Sequence, residues 1–346
     1  MRRTAAVFLV LSTASVAHAE GAGAGARSDI VNDPFLSDLY VSPAQLYQAS
    51  RPSLEGAFVF AQGESKLSAT HLDVKAPAEV QGLGLIFEAP VPQTKVTFRG
   101  SVSQFKTTSK PKSKATGAPF GVATVDDKQV ETETTVSPAL AYDATAELSV
   151  GAAFDIVSDD QTHDSGGHGS FHYTKFLPGV TFHRAGFEVG LFYEPTININ
   201  DADGSVNTAG AIGLHGSGLV APHVVAGGVA KYLRSKDLDG QTLKNNVDLT
   251  VVAETRPTPA LMAGVSLGYA SESANTSADR LPDNISTESV GAYGSIAVAE
   301  RAAVGLKLAR RQTGSQHGKI DSGTKLVDAD VSTEVTIVAL TGTYAF

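Results

Sequence analysis

Residues 148–156, LSVGAAFDI, decide the fold class of this protein. The even-numbered positions from Leu148 to Ile156 are apolar, whereas the odd-numbered ones, such as Ser149 and Asp155, are small or acidic. Successive side chains of a β-strand point to opposite faces of a sheet, whereas a helix would mix the two sets. The alternation therefore predicts a strand with one apolar and one polar face.

The same alternation recurs in residues 187–194, 246–254 and 303–309. Short turns are predicted near 89–94, 142–146, 184–186, 255–259 and 298–302. They alternate with long polar loops predicted near 64–79, 107–128, 158–170, 196–205, 235–245, 272–286 and 313–329. Barrels that span outer membranes alternate short turns and long loops in this way. An additional strand near 205–213, with a turn around 214–222, completes the alternation. We therefore predict an all-β fold, a transmembrane antiparallel β-barrel of about 14 strands.

The N-terminus reads as a signal peptide over residues 1–19. Arg2 and Arg3 precede a short apolar run at 5–11, and Ala17-His18-Ala19 is a small-x-small cleavage site. This apolar run is far shorter than the roughly 20 residues of a membrane-spanning helix. Residues 20–52 lack a period of two, so we expect a segment that lies inside the barrel, followed by the wall at 53–346.

The composition fits a barrel better than other secreted proteins. Hydrophobic residues make up 42% of the chain and the mean hydropathy is −0.01, because each strand would show only one face to lipid. The absence of cysteine argues against a disulfide-stapled domain. Without residues 1–19 the net charge changes from −9 to −11, from 25 basic and 36 acidic residues, which makes nucleic acid an improbable partner.

The C-terminus supplies a further indication of a barrel. Val338, Leu340, Tyr344 and Phe346 alternate up to the last residue, and Gly342 departs from the pattern. A terminal aromatic residue with alternating apolar neighbours resembles the signal read by the outer-membrane assembly machinery, with Tyr344 and Phe346 as its aromatic part. We therefore expect a bacterial outer-membrane protein with lipids, lipopolysaccharide and that machinery as partners.

Two segments resemble the FadL-type outer-membrane transporters of long-chain fatty acids and aromatic hydrocarbons. Residues 38–46, DLYVSPAQL, look like the family's Asn-Pro-Ala motif before the first strand, with Ser42 in place of the usual Asn. Residues 137–143, SPALAYD, followed by LSVGA at 148–152, look like a hairpin of the family.

The resemblance implies a 14-stranded barrel, a luminal hatch and passive uptake of hydrophobic molecules. The hatch would include Ser42, Pro43 and Ala44 near the periplasmic end. In the family the third strand is kinked and opens sideways to the membrane. Here Gly100 lies in the middle of the third predicted strand and is the candidate for that opening, since glycine in a strand often marks a bulge.

Alternation also predicts which charged residues face the lumen. Ten such positions carry charges of both signs: Arg99, Glu131, Glu133, Asp155, Lys175, Glu188, Glu194, Asp248, Glu254 and Lys307. Mixed signs beside many small residues favour a narrow or filled interior over a wide pore of one charge.

Three motifs resemble chemical sites, and each is better explained as barrel structure. Ser266 lies in a G-x-S-x-G sequence, but its run alternates as a strand and no helix follows. His163, His168 and His172 have spacings that match no standard zinc site, so we interpret them as part of a solvated loop. Residues 106–114 form a basic loop that is either solvated or in contact with lipopolysaccharide phosphates.

The sequence therefore predicts a channel for small hydrophobic compounds, without catalytic residues, cofactor or metal. The alternatives are a structural or adhesive barrel without a transport role and, with Ser266 alone in its favour, an outer-membrane hydrolase.

Overall fold

In a computed structural model the chain forms a single antiparallel β-barrel. The structure describes residues 42–48, 51–69, 71–117, 121–126, 128–164, 166–200, 206–236, 243–258, 260–275, 284–321 and 326–346. The predicted signal peptide and residues 20–41 of the predicted luminal segment lie outside these ranges.

A short 3-10 helix, Pro43–Gln48, precedes sixteen strands. The strands are β1 (Ser53–Ala69), β2 (Leu72–Pro90), β3 (Val96–Ser109), β4 (Lys112–Gly117), β5 (Gly121–Asp126), β6 (Gln129–Asp143), β7 (Leu148–His163), β8 (His168–Arg184), β9 (Phe187–Asn200), β10 (Val206–Ala221), β11 (Val224–Lys236), β12 (Leu243–Thr258), β13 (Leu261–Asn275), β14 (Asn284–Ala299), β15 (Ala302–Asp321) and β16 (Leu326–Ala345). Among the described residues, no helix is long and apolar enough to cross a membrane.

Fourteen of these strands form the closed wall. Each pairs with its neighbour in the chain, except that β3 pairs with β6, and β1 pairs with both β2 and β16. The remaining two, β4 and β5, form a hairpin that extends the edge of β2 beyond the wall. Closure gives every wall strand a hydrogen-bonded neighbour on both sides and leaves no open edge, because lipid cannot pair with backbone groups. The predicted number of 14 strands is confirmed.

The exterior of the wall is apolar. Val150 and Phe154 point outward and are exposed, whereas the adjacent residues Ser149 and Asp155 are buried on the inner face. Outward Leu, Val, Phe, Ile and Tyr residues are exposed on all the wall strands. Such a continuous apolar surface is unfavourable in water and favourable in the hydrocarbon of a bilayer.

The short turns and both ends of the wall lie at one end of the barrel, called here the short-turn end. The backbone N–H of Phe346 donates to the carbonyl of Pro52 at 2.9 Å there. The six connections at this end contain two to five residues. One predicted position was wrong: β10 runs without a break through 214–221 and turns at 222–223, because its small residues continue the pairing with β9.

The opposite end, called the long-loop end, contains more strand than predicted. The wall strands have 13–20 residues, whereas about 9–11 suffice to cross a bilayer. The predicted loop at 64–79 instead forms the ends of β1 and β2, which pair up to Ala69 and Leu72. Outside the membrane both faces of a strand are solvated, so polar residues occupy both faces while the backbone pairing continues.

The outward position of Val251 gives a direct test of the wall. Val251 is 63% exposed in the middle of the apolar stretch of β12, so Val251→Arg should destabilise the barrel by about 2–4 kcal/mol in a bilayer. Val298→Arg, outward but next to the last residue of β14, should cost about 0–1 kcal/mol. Denaturant unfolding in lipid vesicles would measure both, and equal costs would contradict this membrane placement.

Candidate functional site

The described segment of residues 42–48 lies inside the barrel and begins with a capping box. The Ser42 hydroxyl accepts a hydrogen bond from the N–H of Ala44 at 3.3 Å, and the Gln45 side-chain oxygen accepts one from the N–H of Ser42 at 3.0 Å. Pro43 occupies the first helical position, where its missing N–H has no cost. Serine and asparagine are both good N-cap residues, so Ser42 can fill the position of the Asn in the resembled motif.

Two paired glycines in the wall leave room for this segment. Gly151 of β7 pairs with Gly179 of β8, and the helix packs against β3, β6, β7 and β8. A Cβ atom at Gly151 would lie 2.5 Å from the backbone nitrogen of Ala44, and one at Gly179 would collide with the Ser42 hydroxyl. A larger residue at either position would therefore push the segment off the wall unless it is covalently bonded to the segment. Both glycines are three to five residues from the short-turn end of their strands.

A buried polar network connects the segment to the wall beyond these glycines. The Gln45 amide donates to Glu188 Oε1 at 2.6 Å, and that oxygen lies 3.6 Å from His215 Nδ1. The other ring nitrogen of His215 lies 3.3 Å from the Thr181 hydroxyl. Gln45, Glu188 and His215 are 0–2% exposed, and a hydrogen bond to a buried carboxylate is stronger than one between neutral groups.

Sequence reasoning predicted Glu188 as a luminal charge but missed Gln45 and His215. A detectable signal for Gln45 was the S-x-x-Q spacing with proline after serine, which is typical of a helix start. His215 lies among small residues of β10, and nothing in its local sequence indicates a buried partner.

Higher in the lumen, charges of alternating sign follow one another around half of the wall. We call these residues of β7, β8, β9, β11 and β12 the charge belt: Asp155, Lys175, Glu194, Lys231 and Asp248. Glu194 forms ion pairs with Lys175 at 3.5 Å and with Lys231 at 2.5 Å. Asp155 lies opposite Lys175, and Asp248 lies opposite Lys231.

Small residues on β10 make this continuity possible. Ala211 lies opposite Glu194, and Gly213 lies opposite Lys231, so the two charged side chains meet across β10. Because each carboxylate in the belt has a cation beside it, the lumen presents no strip of a single charge. The mixed-sign interior predicted from the sequence thus takes the form of paired charges.

Two further ion pairs lie nearer the short-turn end. Arg99 and Glu88 are buried and 2.6 Å apart. Glu254 accepts hydrogen bonds from Arg256 at 2.8 Å and from the Tyr293 hydroxyl at 3.2 Å. The Lys307 ammonium lies 5.9 Å from the centre of the Tyr293 ring, a distance at which cation and ring attract each other.

Glu131 and Glu133 lie toward the long-loop end of β6, above the outward apolar residues. Burial, followed by the neighbouring carboxylate of Asp159, raises the pKa of Glu131 to about 7. Burial also raises the pKa of Asp159. At neutral pH a proton is therefore shared within this carboxyl pair at the mouth of the barrel.

Three luminal aromatic rings lie over glycines on the paired strand. Phe192 covers Gly213, Tyr293 covers Gly264 and Phe105 covers Gly82, and in each case ring and glycine are direct partners in the register. A Cβ atom at any of the three glycines would collide with the ring. The glycines therefore let bulky apolar rings lie flat on the inner wall.

The expected interruption at Gly100 is absent. Gly100 pairs with Phe87 on one side and with Pro138 on the other, within ladders that are continuous from 97 to 109. It faces outward, and the Phe98 ring covers the space that a side chain would occupy, 3.3 Å from an added Cβ atom. The glycine thus accommodates a lipid-facing ring instead of bending the strand.

Pairing is interrupted at prolines elsewhere in the described wall. Between β6 and β7 it skips Ser137 and Pro138, and between β8 and β9 it skips residues 176–178 and 193–195. Proline has no N–H to donate to a ladder, which explains the gaps beside Pro138, Pro178 and Pro195. On the inner face, the Lys175–Glu194 ion pair bridges the β8–β9 gap.

The chemical motifs lie on ordinary wall strands. Ser266 is buried within β13, where no strand-to-helix turn exists to form a nucleophile elbow. His172 lies 3.4 Å from the Ser158 hydroxyl, and His163 and His168 lie at the β7–β8 connection. In the ranges that the structure describes, no three potential ligands come together as a metal site.

Comparison with solved structures identifies barrels of the same fold. A Pseudomonas aeruginosa FadL homologue superposes with a TM-score of 0.63 at 12% identity, covering 95% of this chain and 98% of that one. The P. putida toluene transporter TodX gives 0.62 at 14% identity, with 95% and 99% covered. The Ralstonia pickettii toluene transporter TbuX gives 0.56 at 12% identity, with 88% and 92% covered. No family model and no curated protein matches the sequence.

The contact between segment and wall can be tested by a disulfide, since the chain has no cysteine. The Cβ atom of Ser42 lies 3.5 Å from the Cβ position of Gly179, within the range of roughly 3.5–4.5 Å that disulfides require. Ser42→Cys with Gly179→Cys should therefore oxidise readily. Ser42→Cys with Gly305→Cys, on β15, is the control. Free-thiol counting on the folded protein would decide, and equal oxidation of both pairs would contradict the placement.

Proposed function

We propose that this protein is a bacterial outer-membrane channel for the passive uptake of small hydrophobic compounds, such as fatty acids or hydrocarbons. The proposal requires no catalytic residue, cofactor or metal. It assigns the short-turn end to the periplasm and the long-loop end to the cell exterior, as in other barrels of this architecture.

The observation that carries the proposal is the capped segment anchored inside a membrane-type barrel. A 14-stranded wall encloses a lumen too wide for wall side chains alone to fill, since about eight strands are the size at which they do. The Gln45–Glu188 hydrogen bond and the Gly151–Gly179 pair hold residues 42–48 near the short-turn end. We infer that residues 20–52 act as a hatch that limits the leakage of ions and polar solutes.

The luminal surface also suits a hydrophobic solute. Glu194 is paired with both lysines of the belt, and Asp155 and Asp248 lie opposite the same two lysines, so the five charges sum to only −1 and offer little net charge that would favour an ion. Phe105, Phe192 and Tyr293 add apolar rings to the inner wall, and an apolar solute gains roughly 25 cal/mol per Å² of surface removed from water. Two of the solved structures with this fold are described as toluene transporters, which supports the same substrate class here.

The C-terminal residues support the proposed assembly route. The Tyr344 and Phe346 rings contact each other edge to face at 5.2 Å, and both are exposed on the outer wall. An exposed terminal pair of this kind is available to the assembly machinery before β1 and β16 close the barrel. We infer that it is the assembly signal.

Uptake by whole cells tests the function itself. A strain lacking its own uptake channel should take up radiolabelled oleate or radiolabelled toluene several-fold faster when it produces this protein, because the channel bypasses the polar outer leaflet. The two probes are measured separately, since the class that responds defines the substrate. A non-transporting porin-sized barrel is the control. A surface-exposed, correctly folded barrel that accelerates neither probe would make it a structural or adhesive protein.

Ion conductance tests the hatch. Deletion of residues 20–48 should raise single-channel conductance in planar bilayers, because the lumen loses the segment anchored at Gly151 and Gly179. The oxidised Ser42→Cys/Gly179→Cys protein should conduct as little as the intact one. Glu188→Ala should show more frequent openings than Glu188→Gln, which retains an acceptor for Gln45. Equal conductance of the intact and truncated proteins would exclude a plug at this place.

A further inference from the structure

Three lysines lie side by side on the outer face of the barrel near its long-loop end. Lys66 of β1 is the direct register partner of Lys75 of β2, and Lys75 is the direct partner of Lys112 of β4. All three are exposed. We call them the lysine row.

Like charges directly opposite each other on neighbouring strands are destabilising. Within the row, Lys66 forms an ion pair with Glu64 at 2.8 Å, and that hydrogen bond raises the pKa of Lys66. Asp126 of β5 is the direct register partner of Lys112. These acidic neighbours reduce the repulsion within the lysine row without removing the contacts between the lysines.

The surroundings of the row are positive, although the whole chain is acidic. The outward residues of 64–79 and 106–114 include six lysines and three acidic residues. These are Lys66, Lys75, Lys106, Lys110, Lys112 and Lys114, against Glu64, Asp73 and Glu79. Asp126 of β5, the direct register partner of Lys112, adds a fourth acidic residue, so six lysines and four acidic residues leave a local excess of two positive charges. A positive excess on a chain of net charge −9 is a candidate surface for an anionic partner.

The distance of the lysine row from the hydrocarbon layer of the membrane indicates which anions lie beside it. Leu83 is the last exposed large hydrophobic residue on the outer face of β2 toward the long-loop end, and Lys75 lies eight residues beyond it. At about 3.3 Å per residue and a strand tilt of about 40°, the row lies roughly 20 Å above the edge of the hydrocarbon. On the outer side of an outer membrane, this layer contains the phosphorylated core sugars of lipopolysaccharide.

We propose that the lysine row, together with the β4–β5 hairpin that supplies Lys112 and Lys114, is a binding surface for the phosphate groups of lipopolysaccharide. This proposal gives the β4–β5 hairpin a role. The hairpin lies outside the closed wall, and it places Lys112 beside Lys75. Phosphates between the lysines convert the two repulsive contacts, Lys66–Lys75 and Lys75–Lys112, into attractive ones. The proposal relies on the outward orientation of the long-loop end given above, but not on transport.

The test compares binding and stability in purified, heat-modifiable protein in non-ionic detergent. The variant Lys66→Gln/Lys75→Gln/Lys112→Gln should bind phosphorylated lipopolysaccharide at least about fivefold more weakly, with a shallower salt dependence. The arginine triple at the same positions should bind as the unchanged protein does. The variant Arg51→Gln/Lys95→Gln/Arg301→Gln removes the same charge at the exposed short-turn end and should leave affinity unchanged.

Thermal stability distinguishes phosphate binding at the lysine row from a general effect of removing positive charge. Without lipopolysaccharide, the glutamine triple at the row should unfold at a higher temperature than the unchanged protein, because the repulsion is gone. With lipopolysaccharide the order should reverse. The proposal is overturned if the glutamine triple binds as tightly as the unchanged protein, if dephosphorylated lipopolysaccharide binds equally well, or if inorganic phosphate stabilises the protein as much as lipopolysaccharide does. Failure of oleate and toluene uptake would leave these outcomes unaffected.

Discussion

Every feature of this protein depends on the need to pair each backbone N–H and C=O group in a medium without water. In hydrocarbon an unpaired group costs several kcal/mol, so a sheet can cross only when it closes on itself. Closure between β1 and β16 fixes the number of strands, the tilt and the width of the lumen. It also fixes the two faces, because a period of two assigns each residue either to lipid or to the interior. The wall tolerates short gaps in pairing beside the prolines at 138, 178 and 195. Each gap involves two or three residue pairs, and the register beyond it is unchanged.

The interior follows from the same closure. A wall of this size has many inward positions, and a charge there is partly removed from water and needs a partner. Ion pairs across neighbouring strands supply these partners, and small residues such as Ala211 and Gly213 let the pairs reach across an intervening strand. The inner wall therefore combines charges that neutralise one another with flat aromatic rings over glycines. In the proposed channel, such a surface would select solutes through shape and apolar contact more than through charge.

The sequence predicted the wall well because one face of each crossing strand must be apolar. Residues 148–156 and 187–194 have their faces as the alternation requires, and the strand number followed from the order of turns. Outside the hydrocarbon this signal ends, which is why paired strand at 64–69 and 72–79 was predicted to be loop. The position of Gly100 was misleading for a related reason: a glycine in a strand marks either a bend or a space for a neighbouring ring, and only the location of Phe98 distinguishes the two. The Gly151–Ala44 contact joins residues 107 positions apart, and local pattern contains no information on such a pair.

Two kinds of contact anchor the segment of residues 42–48 to the wall: close packing against glycines and a side-chain hydrogen bond. Gly151 and Gly179 contribute because they have no side chain, which leaves space on the wall for the segment. Gln45 acts in both directions at once: its oxygen caps its own helix through the N–H of Ser42, and its nitrogen donates to Glu188 on the wall. Loss of this one side chain would therefore weaken the fold of the segment and its attachment together. A segment built in this way either keeps its helical turn and stays bound to β8 and β9 or loses both, because the same amide serves the two structures. The segment and its anchor thus form one cooperative unit, and in the proposed channel the hatch would open or close in an all-or-none manner.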